Sequence, residues 1–260
     1  MQKNILITGC SSGIGLSSAL DLHQRGYRVI AGCRKPEDMA RLNALGLSAL
    51  QIDLDDPQSV TQAIAQVEIL TEGKLFALFN NAGYGLYGPL ETLDRQQLER
   101  QFSTNFFGIH QLTFGVLPFL RAYGAARILN TSSVMGFIAT PGRGAYAASK
   151  YALEAWTDTL RMELSNEPIS VSLLQPGPIT TTFSSNVRQT DPLRPVKNPG
   201  IAARFALPPE ALLSKIHHAL ESRSPRRRYP VTLVSHAMAV AKRFFPSGLM
   251  DLILNNPSKK

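Results

Sequence analysis

Short apolar runs recur along the chain and alternate with longer stretches in which apolar residues return every three or four positions. The runs fall at 5–8, 28–31, 49–52, 75–79, 126–130 and 170–174, with a seventh at 229–231. Strands that are apolar almost throughout are buried on both faces, the condition of a parallel sheet covered by helices. The stretches 15–25, 57–71, 98–123 and 146–163 read as such helices. Repeated βα units therefore predict an α/β fold, a doubly wound parallel sheet with helices on both faces, in one domain spanning 1–260.

Such a sheet binds ligands beyond the C-terminal ends of its strands, where the strand order reverses. The chemically informative segments all follow those ends, which gathers the candidate site residues at one edge. Two later segments break the βα rhythm. Residues 183–209 are rich in proline (Pro192, Pro195, Pro199, Pro208, Pro209) and too long for a simple connector, so they predict a substrate lid. Its Phe183, Val187, Leu193, Ile201, Phe205 and Leu207 predict an apolar pocket. Residues 231–256 mix apolar side chains with Lys242 and Arg243 and read as an amphipathic C-terminal segment.

Directly after the first run stands Thr8-Gly9-Cys10-Ser11-Ser12-Gly13-Ile14-Gly15, followed by a predicted helix. Glycines let the backbone turn tightly against a pyrophosphate, and the helix N-terminus presents unpaired N–H groups and partial positive charge to it. Gly9, Ser11, Ser12, Gly13, Ile14 and Gly15 are thus candidate contacts in a Rossmann-like phosphate cradle. At the end of the second run, Cys33 stands where dinucleotide binders that use free ribose hydroxyls place an acid, and Arg34 and Lys35 follow. An arginine fork binds a 2′-phosphate that a carboxylate would repel, which favours NADP(H). Tyr146 and Lys150 are four apart on a predicted helix and share one face. Tyrosine has a reference pKa of about 10, and a neighbouring cation lowers it toward acid–base use.

The glycine spacing, Asn80-Asn81-Ala82-Gly83 after the fourth run, and Tyr146-Ala147-Ala148-Ser149-Lys150 together resemble the short-chain dehydrogenase/reductase family over residues 3–182. Within that family the chain is similar to bacterial NADP-dependent aldehyde reductases and, more distantly, to steroid and retinol dehydrogenases. The resemblance implies a catalytic set of Asn105, Ser133, Tyr146 and Lys150. Tyr146 would be the proton carrier, Lys150 its activating cation, Ser133 the group that orients the substrate oxygen, and Asn105 the holder of a relay water. Ser132 is the alternative serine. The resemblance further implies that Asp53 contacts the adenine and that Asn81, Ala82 and Gly83 line the cofactor site. Pro176, Gly177, Ile179 and Thr181 would wall the nicotinamide, with Thr180 or Thr182 as alternatives to Thr181. A homodimer or homotetramer built on the helices carrying Asn105 and Tyr146 is also implied.

Charge and composition add limits. The net charge of +8 is C-terminal in origin: residues 1–182 carry 14 basic and 15 acidic side chains, residues 183–260 carry 13 and 4. No nucleic-acid recognition motif accompanies it, so nucleic acid is not an expected partner. A solvated basic face, or a peripheral contact of the C-terminal region, including Arg226-Arg227-Arg228, with anionic membrane, would account for the excess. No apolar leader precedes the first run, which predicts a cytoplasmic protein, at most peripheral at the membrane. Cys10 and Cys33 read as small buried residues, and His23, His110, His217, His218 and His236 lack zinc spacing, so no metal is expected. NADPH-dependent reduction of hydrophobic aldehydes or ketones is the leading expectation. A dehydrogenase or reductase of sterol-, retinol- or acyl-like substrates is the second, and a dinucleotide-sensing binding module the non-enzymatic alternative.

Overall fold

The computed structural model describes residues 2–183, 187–190 and 204–255. In chain order its strands are β1 (Asn4–Thr8), β2 (Arg28–Cys33), β3 (Ser48–Gln51), β4 (Ala77–Asn80), β5 (Leu86–Tyr87), β6 (Ala126–Thr131), β7 (Ile169–Gln175), β8 (Arg188–Gln189) and β9 (Arg228–Pro230). Seven of them form one sheet in the order β3-β2-β1-β4-β6-β7-β9, with every pairing parallel. The chain winds outward from β1 to β3 and then returns to β4 on the other side of β1. The β1/β4 boundary is therefore the switch point where a ligand crevice opens.

The helices are α1 (Gly13–Gln24), α2 (Pro36–Ala44), α3 (Pro57–Thr71), α4 (Arg95–Phe102), α5 (Gly108–Tyr123), α6 (Gly144–Glu163), α7 (Leu213–Glu221), α8 (Leu233–Phe244) and α9 (Ser247–Leu254). Successive strand residues point to opposite faces, so the apolar runs feed two cores. Leu6, Leu78 and Ile128 pack with Val60 and Val67 of α3, Leu112 and Val116 of α5, and Leu153 of α6. Their neighbours Ile5, Ile7, Phe79 and Leu129 pack on the opposite face with Ala19 and Leu22 of α1 and Ile216 of α7. The doubly wound sheet and its seventh strand thus match the sequence pattern.

Four features depart from that pattern. The single helix expected over 98–123 is divided. Asp94 caps α4 through a reciprocal bond with Gln97, a π-helical turn spans Ser103–Phe107, and only then does α5 begin. The extra residue in a π turn shifts the side-chain register, and here it carries Asn105 to full burial. Helix α2, begun by Pro36, and the small parallel β5–β8 sheet were not foreseen. The C-terminal segment is two helices, because Pro246 cannot continue α8. The expected lid falls mostly outside the described residues; of its apolar set, Leu193 and Ile201 lie there, while Phe183, Val187, Phe205 and Leu207 are described.

Gly108 lets α5 begin hard against the loop after β3: a Cβ there would lie 2.2 Å from the Leu54 carbonyl oxygen. Gly108→Ala should therefore push α5 away and destabilise the fold by about 1–3 kcal/mol, read as a lower urea midpoint.

Candidate active site

A cleft of about 1240 Å³ follows the C-terminal edge of the sheet, from Arg34 and Arg41 at one end to Met238 and Leu254 at the other. Its middle is built from the ends of β1, β4, β6 and β7. Gly9 and Gly13 adopt φ of 74° and 57°, a left-handed backbone that glycine tolerates. Gly15 is the tightest point, since a Cβ there would lie 2.2 Å from the Gly9 carbonyl oxygen and 2.7 Å from Asn81 Nδ2. Ser12, at the N-cap of α1, makes no side-chain cap bond; its hydroxyl instead pairs with Thr182 at 2.7 Å. The first turn of α1 keeps its N–H groups directed at the cleft without a capping side chain, which suits a bound pyrophosphate.

Thr8 ties this loop to the next strand. Its hydroxyl accepts hydrogen bonds from the backbone N–H groups of Asn81 and Ala82, both at 3.0 Å, while Asn81 Nδ2 donates to the Thr8 carbonyl at 3.1 Å. At the end of the cleft beside β2, Cys33, Arg34, Lys35 and Asp53 all line its wall. Asp53 also accepts from the Asp55 N–H at 3.0 Å, closing a local turn. Two charged residues were missed: Asp38 and Arg41 of α2 line the same end and pair at 2.9 Å, and Arg41 also donates to the Ser11 carbonyl. Burial raises the Cys33 thiol to about 11, aided by the Asp38 carboxylate.

The candidate reaction centre lies where α6 passes β6. Ser133 caps the short turn Val134–Gly136, accepting from the Met135 N–H at 3.1 Å, and its hydroxyl stands beside the Tyr146 phenol. Ser132 is turned away, its buried hydroxyl lacking a partner beside Gly136 and Glu154. Tyr146 is 6 % exposed, enclosed by the rings of Tyr87 at 6.1 Å and Phe183 at 5.8 Å. Lys150 is 3 % exposed; its Nζ donates to the Thr131 carbonyl at 2.8 Å and lies 5.9 Å from the centre of the Tyr146 ring.

Burial lowers Lys150 to about 8, with Glu154 pulling it back up. The Tyr146 phenol moves the opposite way from the sequence expectation. Burial, then the neighbouring Tyr87, push it well above the ordinary tyrosine value, with Ser133 and Arg143 pulling down. Desolvation outweighs the opposing pull of Ser133 and Arg143. Asn105 also differs in detail. Its amide brackets Tyr84, accepting from the N–H at 3.1 Å and donating to the carbonyl at 3.0 Å, and donates to Ser149. It stands near Lys150 across Gly83, whose Cβ would lie 3.1 Å from Asn105 Oδ1 and 3.7 Å from Lys150 Nζ. Buried Gln101 braces the same loop, donating to the Tyr84 carbonyl and accepting from Leu86 N–H at 2.7 Å.

Behind Lys150 runs a charge ladder that sequence reading passed over. One turn on, Glu154 accepts from Gln175 at 2.8 Å and from Arg228 at 3.1 Å, and Arg228 also pairs with Asp158. Arg228 is thus an internal clamp rather than part of a free basic run. The segment after β7 completes the crevice. Thr181 packs on Gly13, where a Cβ would lie 3.1 Å away, and accepts from Phe183 N–H, while Thr182 is joined to Ser12. Ile179 bridges to Leu207, and Thr180 N–H donates to the Leu207 carbonyl at 2.9 Å. Gly177 abuts the N-cap of α8: a Cβ there would lie 2.1 Å from Thr232 Oγ1.

A phosphate cradle at a switch point and a buried Tyr–Lys–Ser cluster agree with what sequence comparison finds, a match of residues 3–192 to the short chain dehydrogenase profile. The chain belongs to the short-chain dehydrogenase/reductase family and is an oxidoreductase. It is 59 % identical over 254 residues to an uncharacterized oxidoreductase, YbbO, of Escherichia coli, covering 98 % of this chain and 94 % of that one. It is 33 % identical to human retinol dehydrogenase 5, covering 96 % and 87 %. Among solved structures, a Burkholderia cenocepacia short chain dehydrogenase in complex with NADP superposes with TM-score 0.80 at 25 % identity, covering 98 % of this chain and 100 % of that one. A Burkholderia phymatum family member in complex with NAD gives 0.78 at 27 %, covering 100 % and 97 %.

Glu154→Gln removes the negative charge that favours protonated Lys150. The basic limb of the pH profile of kcat/KM should move to lower pH, with Glu154→Asp restoring much of the wild-type profile. An unshifted limb would show that Glu154 acts on structure alone.

Proposed function

We propose that the protein reduces hydrophobic aldehydes or ketones with NADPH. The observation that carries this reading is the buried Tyr146 phenol set beside Ser133 and buried Lys150, on the floor of a cleft that begins at the N-terminus of α1. The dinucleotide would be held by Gly9, Ser11, Ser12, Gly13, Ile14 and Gly15 at its pyrophosphate, Asp53 at its adenine, Asn81 to Gly83 along the crevice, and Pro176, Gly177, Ile179 and Thr181 at its nicotinamide. Bound there, it supplies a hydride to the carbonyl carbon. Ser133 and Tyr146 hold the carbonyl oxygen by hydrogen bonds, and Tyr146 passes its proton to that oxygen as negative charge develops. Lys150 then stabilises the tyrosinate, and Asn105 fixes the loop that closes over it.

NADP(H) is supported by Arg34, Lys35 and Arg41 at the adenosine end, by an Asp38 carboxylate already paired with Arg41, and by the NADP-bound relative. The substrate half is walled by Tyr87, Val134, Ile138, Phe183, Met238 and Leu254, with Val187 packed behind them, which supports an apolar substrate. That wall, together with the likeness to a retinol dehydrogenase, also favours a second reading: a long retinol-, sterol- or acyl-like carbonyl or alcohol. A purely sensing role gives no reason for Ser133, Tyr146 and Lys150 to be assembled together. We place the protein in the cytoplasm as a homodimer or homotetramer joined through α4 to α6, where Phe107, Phe114, Tyr151 and Met162 lie exposed.

Two measurements test this. Tyr146→Phe should abolish NADPH-dependent turnover of medium- and long-chain aldehydes while leaving NADPH binding within about twofold, since it removes a proton and not a phosphate contact; wild-type inactivity across aldehydes, ketones and alcohols would return the sensing role. Arg34→Ala should lower kcat/KM with NADPH by about ten- to a hundredfold and spare NADH, the scale of a lost charged hydrogen bond. Equal losses with both cofactors would overturn the NADP assignment.

A further inference from the structure

We propose that the outer face of α8 and α9 docks on an anionic lipid membrane. Seven of the sixteen large exposed apolar side chains among the described residues fall between Leu233 and Ile253. They follow helical spacing. On α8, Leu233, Ala237, Val240 and Phe244 point outward at i, i+4, i+7 and i+11, with Leu233 and Phe244 67 % and 71 % exposed. On α9, Leu249, Leu252 and Ile253 do the same, Leu252 at 76 %, and Phe245 lies between the two helices. The opposite sides of both helices are already occupied, by Val234, Met238 and Leu254 in the cleft wall and by Ala241 and Met250 in the core. Helices apolar on both sides are stable in water only when both are covered, and apolar stripes of this kind mark an interaction surface.

Charge selects the occupant. Residues 231–260 carry four basic side chains and one acid, Asp251. Lys242 and Arg243 are exposed at the end of α8, beside Phe244 and Phe245. Apolar and aromatic residues flanked by lysine and arginine suit the boundary between anionic headgroups and acyl chains. A second copy on the same face would bring like charges together from both sides. No helix among the described residues is long and apolar enough to cross a bilayer, so the contact is peripheral. Because Met238 and Leu254 of these helices line the cleft, docking would set its mouth at the lipid surface. An apolar substrate would then reach Tyr146 without crossing bulk water. The surface itself does not depend on which carbonyl compound is reduced.

The experiment is sedimentation of the full chain with phosphatidylcholine vesicles containing or lacking phosphatidylglycerol, at low and high salt. Wild type should partition onto the anionic vesicles, less at high salt. The double variant Phe244→Asp, Leu252→Asp should lose at least about tenfold in partition coefficient, since both apolar area and charge balance change. Thermal melting and NADPH binding of the variant should match wild type, which separates loss of docking from loss of fold. Absence of wild-type binding, or binding untouched by the substitutions, overturns the proposal. So does a wild-type assembly that ignores vesicles and halves its mass by light scattering in the variant, which would assign the face to a second copy.

Discussion

Taking an ammonium out of water costs several kcal/mol unless hydrogen bonds and opposite charge replace the lost hydration. For Lys150 the replacement is partial: one carbonyl, Thr131, at 2.8 Å, and a carboxylate, Glu154, one helical turn away. The rest of the reaction centre follows from that arrangement. Glu154 needs its own partners and finds them in Gln175 and Arg228, which fix the end of β7 and the short β9. Asn105 and Gln101 hold the Tyr84 loop over the same spot from the other side. Burial that brings the Lys150 pKa down to about 8 leaves its charge responsive to any charge that develops beside it.

Local signals made much of this visible in the sequence. The strands are apolar on both faces, so their runs stand out without a partner in view. The glycine loop and the Tyr146–Lys150 spacing are short-range features whose geometry follows from one turn or one helix. What escaped depends on residues far apart in the chain. Arg228 read as one of three surface arginines because its partners, Glu154 and Asp158, are 74 and 70 positions away. Gln101 gave only the appearance of a polar helix face, Asn105 was legible through the family resemblance alone, and the π turn between α4 and α5 has no compositional mark. Asn80 and Asn130 likewise read as strand ends, although Asn80 bonds Asn130 and Thr113, and Asn130 bonds Thr157, linking β4 and β6 to α5 and α6.

The end of the cleft beside β2 shows how a missing acid differs from an absent negative charge. Cys33 stands at the end of β2, where the sequence reading looks for an acid, yet Asp38 lies close enough to raise the thiol's pKa. Arg41 binds that acid and the Ser11 carbonyl together. The local field therefore depends on a three-residue arrangement across β2, α2 and the glycine loop, not on one substituted position.

The seat of Gly177 against Thr232 gives the C-terminal segment a mechanical standing that its surface position conceals. The turn beyond β7 and the first turn of α8 share one interlocked joint, with no room for a side chain between them. C-terminal helices grafted from a relative would carry that joint with them, and a bulkier residue on either side would tilt the crevice wall. The C-terminal helices and the turn beyond β7 are thus not freely interchangeable modules.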